Sequence, residues 1–181
     1  TGSNMSGKST FLRSLGINHQ LAMLGLPVFA KQFRTFVAPI LTCLKISDDL
    51  QSGYSSFYYE VIRVKEILEK ARRGEKFLFL VDEIFRGTNN RERWIGSRAI
   101  IQALLDHPSA LGLISTHDLE LTQIEHRALK NWHFRDDVKD GQLHFSYQIH
   151  EGPCPTSNAL KIMAREGLPV SPSGSSQGLS V

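Results

Sequence analysis

The chain has 181 residues, 41% of them hydrophobic, and its 21 Lys and Arg against 18 Asp and Glu leave a formal net charge of +3. That composition suits one globular domain with a sizeable buried core, and the charge is too mild to argue for a nucleic-acid partner by itself. Cys43 and Cys154 form no C-x-x-C pair, so neither a disulfide framework nor a zinc site is signalled. No stretch approaches the roughly 18 apolar residues of a membrane helix, and the expected setting is cytoplasmic with reduced thiols.

The chain opens on Gly2-Ser3-Asn4-Met5-Ser6-Gly7-Lys8-Ser9, a complete G-x-x-x-x-G-K-[ST] phosphate-binding loop. Such a loop joins a buried strand to a helix, and no residues precede this one that could form the strand. The chain is therefore expected to be part of a longer polypeptide, with residues 1–170 as a nucleotide-binding domain. Phe11, Leu12, Leu15, His19 and Ala22 predict a helix over 8–24, ended by Gly25 and Pro27. Val28-Phe29, Thr35 to Val37 and Leu41 to Ile46 read as two or three short strands. Phe57, Val61, Val64, Leu68 and Ala71 fall on one helical face and predict a helix from Ser56 to Arg73. Phe77 to Val81 is an unbroken apolar run, as in a strand covered on both faces of a parallel sheet, and it ends in Asp82-Glu83.

A helix over 91–106, a strand from Leu111 to Ser115 and a short helix from Leu119 to Ile124 continue a β-α-β-α rhythm. Trp132 to Phe134 and Leu143 to Ile149 flank Asp140-Gly141 and predict an antiparallel hairpin. A final helix is expected from Asn158 to Glu166, followed by a Ser/Gly/Pro tail over 171–181 without fixed structure. The fold class is α/β, a P-loop NTPase with a mainly parallel core sheet flanked by helices and a carboxyl-terminal antiparallel hairpin.

In the loop, backbone N–H groups turn inward around the phosphates of ATP at the positive end of the following helix. Lys8 reaches the β- and γ-phosphates, and the Ser9 hydroxyl ligates Mg²⁺, with Thr10 completing the segment. Asp82 and Glu83 stand at a strand's carboxyl end, where such an NTPase keeps its magnesium-site carboxylate. Asp82 then holds Mg²⁺ through its water shell, and Glu83 polarises the attacking water as general base. His117, after the strand Leu111 to Ser115, reads either as a structural histidine or as a contact to the γ-phosphate. His133, His144 and His150, near the hairpin, have a metal-site reading and a plainer one as exposed histidines. Lys70, Arg72, Arg73 and Lys76 read as the solvated end of a helix.

These motifs resemble the ATPase domain of the MutS mismatch-repair family. The family's loop T-G-x-N-M-x-G-K-S-T is matched by Thr1 to Thr10, including Asn4 and Met5. Its D-E-I-x-R-G-T is matched by Asp82 to Thr88, its T-H-x-x-E-L by Thr116 to Leu121, and its G-x-S-x-F-x-x-E by Gly53 to Glu60. The resemblance implies an ABC-type ATPase in which two domains, as in a homodimer, sandwich ATP. Ser55 and Ser56 of one then face the γ-phosphate bound by the other; a plain helix N-cap is the other reading of these serines. It also implies that Tyr147 lies against adenine, a core aromatic of the hairpin being its other reading, that ATP turnover drives a DNA-bound clamp, and that DNA is held by regions outside this chain.

Phe85 stands where the family usually has glycine, Tyr54 where it has arginine, and Ser3 where it has proline. These departures leave open a branch with another task, in DNA processing or at a membrane. A transporter ATPase would carry an L-S-G-G-Q segment, which Gly53 to Phe57 is not. A non-catalytic ATP-binding module is opposed by the intact Asp82-Glu83 pair.

Overall fold

The structure is a computed structural model of the chain, and it describes residues 1–3, 5–44, 56–139, 142–155, 163–164 and 167–170. The elements follow in the order α1 (Lys8–Met23), β1 (Ile40–Cys43), α2 (Ser56–Arg72), β2 (Phe77–Asp82), α3 (Asn90–Leu105), β3 (Ala110–Ser115), a 3₁₀ turn (Leu119–Gln123), β4 (Trp132–Lys139) and β5 (Gln142–Glu151).

The central strand is β2, buried along its whole length. It pairs in parallel with β1 on one side and β3 on the other, in the order β1-β2-β3. Its side chains divide by parity, as a pleated strand requires. Phe77, Phe79 and Val81 join Val64, Ile67 and Ala71 of α2 and Ile101 and Leu104 of α3 in one apolar cluster. Leu78 and Leu80 join Leu12 of α1 in a second cluster on the other face. The unbroken apolar run of the sequence thus reflects a strand covered by helices on both faces. Gly16 lets α1 approach closely, since a Cβ there would lie 3.0 Å from Leu80 Cδ1.

The sheet places Asp82 and Ser115 side by side at the carboxyl edge, because they are register partners at the ends of β2 and β3. The antiparallel pair β4-β5 forms a separate two-stranded sheet. It docks on the chain's start: the Thr1 nitrogen donates to Trp132 O at 2.6 Å, and Phe134 N donates to Thr1 O at 2.9 Å. Phe134 then packs edge-on against Phe11 of α1, with ring centroids 5.7 Å apart.

Two expected strands are absent. Residues 28–29 and 35–37 are irregular, and side chains of α1 hold them or the residue that follows. Asn18 Oδ1 accepts from Phe29 N at 2.6 Å. The fully buried His19 bonds Thr35 Oγ1 at 2.8 Å and Ala38 O at 2.9 Å. Of this strand material, Ile40–Cys43 alone pairs in the sheet among the described residues. Of the expected last helix, Met163 and Ala164 are helical and the other residues of the segment 158–166 lie outside the described residues, as does the tail 171–181.

Candidate functional site

The amino-terminal loop wraps around one buried cation. Lys8, the first residue of α1, is only 7% exposed, and its Nζ donates to Gly2 O at 2.7 Å and Ser3 O at 2.8 Å. Burial lowers the ammonium's pKa below its ordinary 10.5, opposed by the carboxylates of Glu83 and then Asp82. The glycines are sterically required. Gly2 has φ 139°, and a Cβ on it would sit 2.7 Å from Phe134 O and 2.8 Å from Ser6 Oγ. Gly7, the left-handed N-cap of α1 at φ 109°, leaves that helix end without a side-chain cap, and Lys8, Ser9 and Thr10 of its first turn line the adjoining cleft.

The cleft has a volume of about 580 Å³, and Lys8, Ser9, Thr10, Glu83, Phe134 and Tyr147 are among its lining residues. Tyr147 stands at its mouth, 65% exposed and at a left-handed φ of 53°, while Met5 of the loop is also largely exposed. Asn4 and Ser55 lie outside the described residues, and Ser56 is the first residue of α2, whose side chain is not described.

Beneath the cleft, Asp82 and Glu83 diverge. Asp82 is buried, and its Oδ1 accepts from the Ser115 hydroxyl at 2.5 Å. Glu83 leaves the strand at φ 59°, a left-handed conformation uncommon for a side chain of this kind. Its N–H still bonds Ser115 O at 3.0 Å, so the turn aims the carboxylate into the cleft without losing the sheet. His117 closes on it, with Nδ1 3.3 Å from Glu83 Oε1. Sequence reasoning treated these residues as separate motifs; the β2-β3 register brings them into one cluster.

Several contributors were not foreseen. Arg86 donates to Asp82 O at 2.6 Å and approaches Asp82 Oδ2 at 3.3 Å. Its Nε lies 3.0 Å from Glu83 Oε2, although the buried Nε–H makes no hydrogen bond, so that contact is electrostatic. Arg93 of α3 grips Asp118 with two bonds, at 2.9 and 3.0 Å, and Asp118 Oδ1 stands 3.8 Å from His117 Nε2. The signal for Arg86 was its place in the motif with Asp82. Nothing local in the sequence joins Arg93 to Asp118.

Elsewhere the chemistry is plainer. His133 bonds Gly152 O at 3.0 Å and lies ring to ring with its cross-strand neighbour His150 at 5.4 Å. Among the described residues no group of three or more His, Cys, Asp or Glu could hold a metal. Glu75 pairs with both Lys70 and Arg73, at 3.1 and 2.7 Å, which partly neutralises the basic end of α2. Cys43 and Cys154 are buried, and neither forms a disulfide. Among the described residues no helix is long and apolar enough to cross a membrane.

A family model described as MutS domain V matches residues 1–173. The chain belongs to the MutS family. It is 36% identical over 174 residues to the DNA mismatch repair protein MutS of Geobacillus sp. (strain WCH70), covering 94% of this chain and 20% of that relative. The corresponding protein of Bacillus subtilis (strain 168) is 37% identical over 172 residues, covering 93% of this chain and 20% of that relative. That of Leuconostoc citreum (strain KM20) is 36% identical over 176 residues, with 93% and 20% covered. The chain thus spans about a fifth of the length of these MutS relatives.

Proposed function

We propose that this MutS-family domain is a P-loop NTPase that binds ATP with Mg²⁺ and hydrolyses it to ADP and phosphate. The observation that carries the reading is Lys8 and Glu83 in one cleft. A buried ammonium lies at a helix amino end, and a carboxylate is turned out of a strand toward it. Phosphate oxygens would replace the Gly2 and Ser3 carbonyls as partners of Lys8, while the loop N–H groups and the start of α1 hold the anion. Tyr147 at the mouth offers a face for adenine.

The donors fit a hard divalent cation that keeps waters and takes phosphate oxygens: the Ser9 hydroxyl on the cleft wall and the buried Asp82 carboxylate, already fixed by Ser115. Bound Mg²⁺ supplies charge neutralisation at the transferring phosphoryl group. Glu83 accepts a proton from the attacking water, and His117 against it orients the carboxylate and senses the γ-phosphate.

In the whole protein, the same reading pairs two such domains. Ser56, the first residue of α2, and Ser55 before it in the sequence complete the partner's site, and ATP turnover is coupled to binding of mismatched DNA by other parts of the protein. Phe85, standing at φ 59° where the resemblance expects glycine, favours a second reading: the same engine in a branch with another task. Mismatch-specific DNA binding by the intact protein discriminates between them.

The test of the nucleotide site is ATP affinity of Lys8→Met, which keeps the apolar stem. Affinity should fall by about 10- to 100-fold, the loss of one charge-assisted contact; wild-type affinity would overturn the site.

A further inference from the structure

Glu60 has no part in the chemistry above, yet it reaches the turn that carries the proposed base. It lies in the first turns of α2, and its Oε2 accepts from Arg86 N at 3.1 Å, with the Phe85 N–H group also bearing on the carboxylate. The same stretch of helix makes a second, apolar attachment. Phe57 meets the Phe85 ring at 6.0 Å, tilted by 60°. The fit there is tight: a Cβ on Gly87 would fall 2.6 Å from Phe57 Cβ, and a Cβ on Gly96 would fall 2.9 Å from the Phe85 ring. Glu83 and Phe85 both hold left-handed φ values of 59°. Two such residues in one short turn persist only where the surroundings hold them. Arg86 carries the restraint onward, because its side chain reaches the carboxylates of both Asp82 and Glu83.

We infer that Glu60 is a positioning residue for Glu83: it fastens the 83–87 turn to the amino end of α2, so that these two parts move as one body. The inference rests on the reading of Glu83 as general base. Its consequence is regulatory. The amino end of α2 begins at Ser56, the segment proposed to meet the nucleotide of a partner domain, so a displacement there is delivered to the hydrolytic carboxylate of the same chain. Burial raises the Glu60 carboxyl above its ordinary 4.5, against the pull of the Arg86 and Phe85 N–H groups and the Arg86 charge. The charge is thus held at a cost, in keeping with a contact kept for geometry.

The experiment compares Glu60→Ala, Glu60→Leu and Glu60→Gln in the intact protein. Leu keeps the bulk so that folding is preserved, and Gln keeps an acceptor oxygen. Three quantities are read: ATP turnover, ATP affinity and amide hydrogen exchange over residues 83–87. Ala and Leu should lower kcat by roughly 10- to 100-fold with affinity little changed, and should speed exchange at Arg86 by about tenfold. Gln should restore both. Wild-type kcat and exchange in the Ala and Leu variants, with Glu83→Gln inactive, would overturn the inference and leave the ATPase reading standing. A wild-type protein without ATP turnover would overturn that reading, and unchanged exchange in Glu60→Leu would then still overturn the clamp.

Discussion

His117 Nδ1 lies 3.3 Å from Glu83 Oε1, the two side chains meeting across the carboxyl ends of neighbouring parallel strands. Behind the imidazole stands Asp118, itself held by two bonds from Arg93 of α3. The histidine thus stands between two carboxylates, with Asp118 Oδ1 3.8 Å from its Nε2.

His117→Ala should therefore lower the ATP turnover number by about 10- to 100-fold while leaving ATP affinity nearly unchanged. Steady-state kinetics beside equilibrium nucleotide binding separate the two. A loss confined to affinity would place the histidine in binding and not in hydrolysis.

Gly112→Ala tests the packing of the central sheet. A Cβ at that position in β3 would fall 2.4 Å from three ring atoms of Phe79, which is buried in the main apolar cluster. The ring has no room to retreat, so the substitution should cost about 1–3 kcal/mol. Urea denaturation measures it, and an unchanged midpoint would contradict the packing described.

Cys43 gives a pH signature at the sheet edge. Desolvation pushes its thiol up from 9.0 to about 11, with Glu60 adding to the rise. The unfolded chain releases this proton near 9.0 and the folded chain near 11, so the folded state binds more protons in between. Stability should fall as pH rises through that window, by about 1–2 kcal/mol from this group after screening. Cys43→Ala lacks that contribution, so denaturation of the two proteins at neutral pH and near the upper end of the window isolates it. A wild-type excess that stays constant with pH would contradict the burial of the thiol.

Much of this was legible in the sequence where local pattern and burial coincide. The run Phe77 to Val81 reads as a doubly covered strand because every residue in it is apolar, and β2 is buried throughout. The spacing of Phe57, Val64, Leu68 and Ala71 marks the inner face of α2, and the hairpin follows from two apolar stretches around a turn. The stretches 28–29 and 35–37 misled because apolar runs do not reveal which partners a segment meets; Asn18 takes the Phe29 N–H group, and His19 holds the Thr35 hydroxyl and Ala38 O. Arg86, Glu60 and the Arg93–Asp118 pair were likewise invisible in their roles, since each acts through a contact that only the folded chain creates.

The central claim is that Glu83 activates water in an ATP site built on Lys8, and the most direct measurement is single-turnover ATP hydrolysis by Glu83→Gln beside equilibrium ATP binding. The account predicts affinity close to wild type and hydrolysis slowed by roughly 10²–10⁴-fold, the usual contribution of a positioned base. Hydrolysis at the wild-type rate in that variant would contradict it.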